Sequence, residues 1–164
     1  MVDVDKKSRF LEQVEKNQDI VHKICALYAW TDDERKDLSQ DIICQLWRSY
    51  SSFRGDSQFT TWMYRVALNT ALLNVRRNRR RVRTENLKAR HDDIPAAHTG
   101  PDEHVGIGRL YQAISRLHPF DRAIILLYLE QCSYKDIADV IGISESNVSV
   151  RLVRIKKKLK ELLS

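Results

Sequence analysis

Apolar residues along this chain recur three and four positions apart, and no segment alternates them one by one between turn residues. That spacing lines one face of an α-helix, which turns about 100° per residue, and scatters over both faces of a strand. The chain therefore reads as all-α. Glycine and proline, the punctuation of strand-and-turn proteins, number only 5 and 3 in 164 residues.

Residues 8–30 read as a first helix, with Phe10, Val14, Val21, Ile24 and Tyr28 near one stripe. Thr31-Asp32-Asp33-Glu34 starts a second. Thr31 can cap it, Glu34 completes a capping box, and the acids suit the positive end of the dipole. This helix runs to about Tyr50 and buries Leu38, Ile42 and Leu46 with Ile43 and Trp47. Asp37, Gln40, Asp41 and Gln45 stay outside, as a solvated face or a partner surface.

The stretch from Phe53 to Arg80 carries the most information. A tight polar loop, Arg54-Gly55-Asp56-Ser57, runs straight into a third helix starting near Gln58. Gly55 permits the turn, and Asp56 or Ser57 can cap the helix. Helical phase puts Phe59, Trp62, Met63, Val66, Thr70 and Leu73 on one face. Thr61, Arg65, Leu68, Asn69, Leu72 and Arg76 fall on the opposite flank, near Tyr64. A core helix has no need of Arg65, Asn69 and Arg76 beside aromatic rings, whereas unpaired bases and phosphates require that set. Phe59, Val66 and Leu73 read as packing, and Trp62 lies on the border between the two roles.

Periodicity lapses from Thr84 to Val105. Pro95, Gly100, Pro101, several acids and His91, His98 and His104 mark a linker. The histidines lack cysteine neighbours and ligand spacing, so neither a metal nor any other cofactor is expected. Three divisions follow: a helical domain over 1–83, a linker over 84–107 and a second helical domain over 108–164.

The second domain opens with a short helix carrying Leu110, Ile114 and Leu117. After Pro119 comes a largely apolar helix, Phe120 to Gln131, and Ser133 caps the next, with Asp136 in the reciprocal position. Ala138, Gly142 and Val148 then fall at helix-turn-helix spacing. Ala138 allows close approach, Gly142 makes the turn, and Val148 pins the second helix to the first. Ile137, Ile141 and Ile143 supply the shared core. Val148, Leu152, Ile155 and Leu159 face inward. Ser146, Asn147, Ser149, Val150, Val153, Arg154 and Lys157 face outward, with Arg151 on the flank. A polar start and a basic remainder suit a major groove, bases first and phosphates after. Structural three-helix modules can share the bare pattern.

Charge favours DNA. Residues 76–90 carry eight basic side chains against one acidic, and residues 151–164 six against one. These blocks hold +7 and +5 of a net +6, leaving −6 elsewhere. Two basic blocks on an acidic remainder suggest two polyanion contacts, since solvated faces normally intersperse both signs. Cys25, Cys44 and Cys132 form no CxxC pair and read as reduced, mostly buried thiols. The charged amino terminus and the short apolar run Ala123–Leu129 give no signal peptide and no membrane span, so a cytoplasmic protein is expected. Enzyme signatures are lacking: there is no P-loop, no HExxH, and Gly106-Ile107-Gly108 lacks the third glycine of a dinucleotide fingerprint.

From about Phe10 to Leu163 the chain resembles an extracytoplasmic-function sigma factor of the sigma-seventy family. DDERKDLSQDIICQLW resembles the polymerase-holding region, FRGDSQFTTWMYRVALNTA the promoter-melting region, and LHPFDRAIILLYLEQCSYKDIADVIGISESNVSVRLVRIKKKL the carboxy-terminal domain. The resemblance implies that Asp37, Gln40 and Asp41 face the beta-prime coiled coil of core RNA polymerase. It implies that Phe53, Arg54, Gly55, Asp56, Ser57 and Phe59 form a pocket for a base flipped from the minus-ten element. Trp62, Arg65 and Asn69 would back it or touch the adjoining strand, and Arg76, Arg77, Arg79 and Arg80 would hold upstream phosphates. The linker would pass toward the polymerase active centre. The second domain would sit on the beta-subunit flap and put Ser146, Asn147, Ser149, Val150, Arg151, Val153, Arg154 and Lys157 at the minus-thirty-five major groove. An anti-sigma factor is a further partner the family implies. Two positions depart from the family pattern. Ser149 stands where many members have a basic residue, shifting weight onto Arg151 and Arg154, and Asp41 stands for the usual glutamate. The competing reading is an ordinary helix-turn-helix regulator with an amino-terminal sensing or dimerisation domain, acting without polymerase.

Overall fold

The computed structural model describes residues 2–85 and 105–164. Among them are eight helices and no strand: α1 (Val2–Lys16), α2 (Gln18–Tyr28), α3 (Asp32–Tyr50), α4 (Phe59–Glu85), α5 (Val105–Ser115), α6 (Pro119–Leu129), α7 (Tyr134–Ile141) and α8 (Glu145–Leu163). The chain divides into two compact units, Met1–Asn74 and Val75–Ser164. Most of the expected linker, with His91, His98 and His104, lies outside the described residues. Its edges are helical, because α4 runs on through Glu85 and α5 already begins at Val105.

In the first unit the single helix expected over residues 8–30 is two. Asn17 leaves helical geometry (φ −117°, ψ 25°), and its side-chain amide donates to the Gln13 carbonyl at 2.8 Å. A short polar side chain that bonds the preceding turn offers the backbone an alternative to continuing the helix. The break leaves the expected stripe intact, with Phe10, Val14, Val21, Ile24 and Tyr28 all buried. The capping box on α3 forms as its sequence demands. Thr31 accepts from the Glu34 amide at 3.1 Å, and the Glu34 carboxylate accepts from the amides of Thr31 and Trp30. Leu38, Ile42 and Leu46 are fully enclosed. Ile43 and Trp47 are exposed instead of buried, because a residue next to an inward one is turned about 100° away from it.

A chain of aromatic rings ties the unit together. Phe10 of α1 meets Trp47 and Tyr50 of α3 at 5.0 and 5.1 Å, and Tyr50 meets Trp62 of α4 at 6.2 Å. Tilted and edge-on pairs at these separations add roughly 0.5–1.5 kcal/mol each beyond area burial. Helix α4 turns a different face inward from the one its large apolar residues indicate. Met63, Tyr64, Ala67, Leu68 and Ala71 are buried, whereas Leu73 is 52% exposed and Phe59 and Val66 are only half-buried. The buried face is rotated by roughly one residue step, about 100°.

Cysteine environments also differ from expectation. Cys25 is buried, Cys132 half-buried and Cys44 exposed on α3. Burial pushes the Cys25 thiol up to about 11, since desolvation disfavours the thiolate.

In the second unit, α8 packs on α5, α6 and α7. Pro119 at the first position of α6 supplies a preset φ where no amide partner is needed. Ser133 accepts from the Asp136 amide at the start of α7. Gly142 ends α7 in the left-handed conformation (φ 82°, ψ 38°), and its amide and that of Ile143 both donate to the Ala138 carbonyl, at 2.8 and 3.2 Å. Two residues later Ser144 caps α8, accepting from the Asn147 amide at 3.2 Å. The tight turn between the paired helices is therefore closed by backbone bonds on one side and a hydroxyl on the other. Val148, Leu152, Ile155 and Leu159 are buried as their spacing requires. A cross-link fixes α8 against α6: the Arg151 guanidinium pairs with Asp121 at 3.1 Å and lies over the Phe120 ring at 5.5 Å.

Two consequences can be measured by native-state hydrogen exchange on the whole chain. A Cβ at Gly142 would meet nothing within 4 Å, so Gly142→Ala should destabilise α7 and α8 through φ alone, by about 1–2 kcal/mol, with Gly142→Asn recovering part of the loss. A double-mutant cycle on Arg151 and Asp121 should give a coupling of roughly 0.5–1 kcal/mol, modest because both side chains reach solvent. Zero coupling would mean that the pair does not hold the helix.

Candidate nucleic-acid interface

The loop between α3 and α4 is held at both ends by phenyl rings. Phe53 and Phe59 meet edge-on at 5.8 Å, and each packs on Trp62, at 5.1 and 5.4 Å. Between these two anchors Arg54, Gly55, Asp56 and Ser57 are all exposed. Gly55 takes φ 79°, a left-handed angle that lets the chain reverse within so few residues. Helix α4 begins at Phe59, which puts Gln58 at its cap position, with Asp56 and Ser57 upstream. Trp62 is 9% exposed. Its border position resolves as the floor on which the loop's anchors sit.

Beyond the loop, α4 presents Arg65 and Asn69 on its outer side, then Arg76, Arg77, Arg79 and Arg80, all exposed. Arg81, next to them, is exposed as well. Within the first unit the expected residues are a short polar loop over aromatic rings, then Arg65 and Asn69 on α4; the arginines from Arg76 on fall in the second unit. Such a loop can hold a base against an aromatic ring and meet its polar edge, and exposed arginines can neutralise phosphates.

On α3, Asp37, Gln40 and Asp41 are exposed, opposite buried Leu38, Ile42 and Leu46. The exposed Ile43 and Trp47 border Gln40, so this face is acidic with an apolar margin. Sequence spacing alone assigns that margin to the core. The signal against it is the adjacent pair Ile42-Ile43, which one helix cannot bury on one stripe. Lys6 of α1 reaches the same margin, lying over the Trp47 ring at 5.9 Å.

On α8, Ser146, Asn147, Ser149, Val150, Val153, Arg154 and Lys157 are exposed. The Ser146 hydroxyl lies 3.2 Å from that of Ser144. Arg151 differs from the others, being half-buried and engaged by Asp121 and Phe120. Of the two arginines that the resemblance singles out beside Ser149, only Arg154 is exposed. Lys156 is likewise engaged, donating to the Tyr128 hydroxyl at 3.0 Å. That hydrogen bond raises its pKa. No described helix is long and apolar enough to cross a membrane.

Comparison with known proteins accounts for both units. The Sigma-70 region 2 family matches residues 13–81, and the Sigma-70, region 4 family matches residues 107–159. The RNA polymerase sigma-H factor of Pseudomonas aeruginosa is 31% identical over 157 residues, covering 87% of this chain and 81% of that protein. The ECF RNA polymerase sigma-E factor of Haemophilus influenzae is 31% identical over 136 residues, covering 75% and 71%. ECF RNA polymerase sigma factor SigE of Mycolicibacterium smegmatis is 28% identical over 158 residues, 93% of this chain but 61% of that longer protein. Among solved structures, the sigma factor RpoE in complex with the anti-sigma factor NepR from Bartonella quintana shares the fold, with a TM-score of 0.76 at 22% identity over 94% of this chain and 96% of that one. A second, CnrH in complex with the cytosolic domain of CnrY, gives a TM-score of 0.67 at 22% identity, covering 96% and 88%. Both matched regions belong to one family, and this chain belongs to the ECF sigma factors of the sigma-70 family.

Proposed function

We propose that this chain binds core RNA polymerase and directs promoter recognition and DNA melting at transcription initiation. The observation that carries this reading is the pairing, in one chain and in this order, of regions 2 and 4. A regulator acting without polymerase would need only the second, and nothing in it calls for the loop clipped between Phe53 and Phe59. A cytoplasmic location goes with the reading.

Asp37, Gln40 and Asp41 dock on the beta-prime coiled coil, with Ile43 and Trp47 completing the contact. The second unit sits on the beta flap and lays α8 in the minus-thirty-five major groove. An anti-sigma factor completes the set of partners, as NepR does for RpoE.

Opening a duplex without an energy source divides into binding and capture. The arginines of α4 and the basic residues of α8 gather affinity by releasing counterions, which is sequence-blind and falls with salt. Polar contacts from Ser146, Asn147, Ser149 and Arg154 to base edges set register, at about 1–3 kcal/mol for each good pair. Unstacking the minus-ten base costs a few kcal/mol, and an aromatic-walled pocket returns about 1–3 kcal/mol per stacked base. Capturing one strand, with Arg54, Asp56 and the rings of Phe53 and Phe59 around the extruded base, thus turns binding into melting. Polymerase performs the catalysis.

Run-off transcription with purified core polymerase on a genomic fragment library should yield discrete products that depend on this chain; none would refute the proposal. With the promoter so defined, Arg54→Ala and Asp56→Ala should cut permanganate reactivity of the melted strand roughly tenfold, within the range that loss of a base pocket removes, while leaving polymerase binding unchanged. Charge reversal of Asp37 and Asp41 together should weaken assembly with core polymerase about tenfold or more, read by co-elution and titration. Normal assembly would remove these two acids from the docking face.

A further inference from the structure

The recognition helix carries two exposed apolar side chains that the polar and basic chemistry above leaves unused. Val150 is 51% and Val153 68% exposed. They lie three residues apart, hence on one side of α8, flanked by Ser146, Asn147, Arg154 and Lys157. Their buried counterparts on the same helix, Val148, Leu152 and Ile155, are between 0% and 2% exposed, so the inner core is complete without them. Valine is also a weaker helix former than alanine, lysine or glutamate, so helix propensity does not explain its presence at a solvated position. Val150 is the sixth residue of α8 and Val153 the ninth, within the part of a recognition helix that lies along base edges.

Resting on the proposed minus-thirty-five role, we propose that Val150 and Val153 read thymine 5-methyl groups in the major groove of the upstream element. The major-groove edge of an A·T pair differs from the others by one apolar projection, the thymine methyl, and an apolar side chain recognises it. The surrounding charge selects the occupant: a helix bearing Arg154, Lys157 and Lys158 around these valines fits a polyanion carrying methyl groups, which is thymine-containing DNA. This changes where specificity resides. With serine at 149 and Arg151 engaged by Asp121, fewer strong polar readers remain than a basic recognition helix would have. Methyl contacts supply discrimination that needs no unpaired donor or acceptor.

The test replaces thymine by deoxyuracil, which deletes the methyl and leaves the pairing edge intact. Fluorescent duplexes carrying the upstream element defined by run-off transcription are titrated with the assembled complex of full-length chain and core polymerase. Each deoxyuracil at a contacted position should lower wild-type affinity about fourfold, the effect of one buried methyl. Val150→Ala and Val153→Ala should each bring the thymine-to-deoxyuracil ratio at one position close to one. Alanine favours the helix at both positions, so folding is not at risk. Equal wild-type affinity for the two duplexes overturns the inference. So does a loss in the valine variants that is the same on both, which would place the valines against protein instead of DNA. Absence of any sequence-selective upstream binding by the wild type would instead refute the minus-thirty-five role itself, and the two failures are thereby distinguished.

Discussion

The first unit depends on a run of aromatic rings that passes from α1 through α3 to the loop and the start of α4. Phe10, Trp47 and Tyr50 form its first half, and Trp62, Phe53 and Phe59 its second. A loop as polar as Arg54-Gly55-Asp56-Ser57 cannot hold its own shape, because its side chains gain as much from water as from each other. The edge-on contact of Phe53 with Phe59 fixes both ends, and Trp62 fixes that pair to the helix. Few conformations are left to the intervening residues.

The second unit solves a different problem, the presentation of one straight helix. Its geometry rests on the Gly142 turn, the Ser144 cap and the Arg151–Asp121 link. Each acts at or near the amino-terminal half of α8, where base contacts are proposed, and the lysine-rich remainder is held mainly by Ile155 and Leu159. A helix fixed at its reading end keeps base-edge geometry, which tolerates little displacement, whereas phosphate contacts at the far end need only charge within reach.

Sequence reading succeeded where an apolar ladder was unambiguous. Leu38, Ile42 and Leu46 repeat every fourth residue, and Val148, Leu152, Ile155 and Leu159 at three and four, so their burial is legible, whereas Ile43 and Trp47 beside the first ladder are not separated from it by spacing alone. Thr31 with Glu34, and Gly142 after Ile141, marked helix ends by chemistry that has few alternatives. The phase of α4 was not legible for an identifiable reason. Its buried centre contains Ala67 and Ala71, which carry little hydrophobic signal, while its largest rings, Phe59 and Trp62, turn sideways to serve the loop. Weighting by hydrophobicity therefore points at the loop side. The break at Asn17 was hidden because asparagine interrupts a helix only when its side chain finds a carbonyl. The partner of Arg151, Asp121 thirty residues upstream, is invisible to local spacing.

Rigidity at the loop and the energetics of melting are connected on the proposed reading. Extruding a base costs a few kcal/mol, and a pocket can return only what remains after its own groups have been ordered. Immobilising a long side chain such as arginine removes up to about 2 kcal/mol of rotamer freedom, comparable with the stacking gain itself. A loop that had to organise on contact would therefore return less than unstacking consumes. Anchoring it in advance, by two phenyl rings on a buried indole, moves most of the ordering cost of its backbone into folding. The aromatic run that looks like ordinary core packing is then the reason capture of one strand can favour the open state.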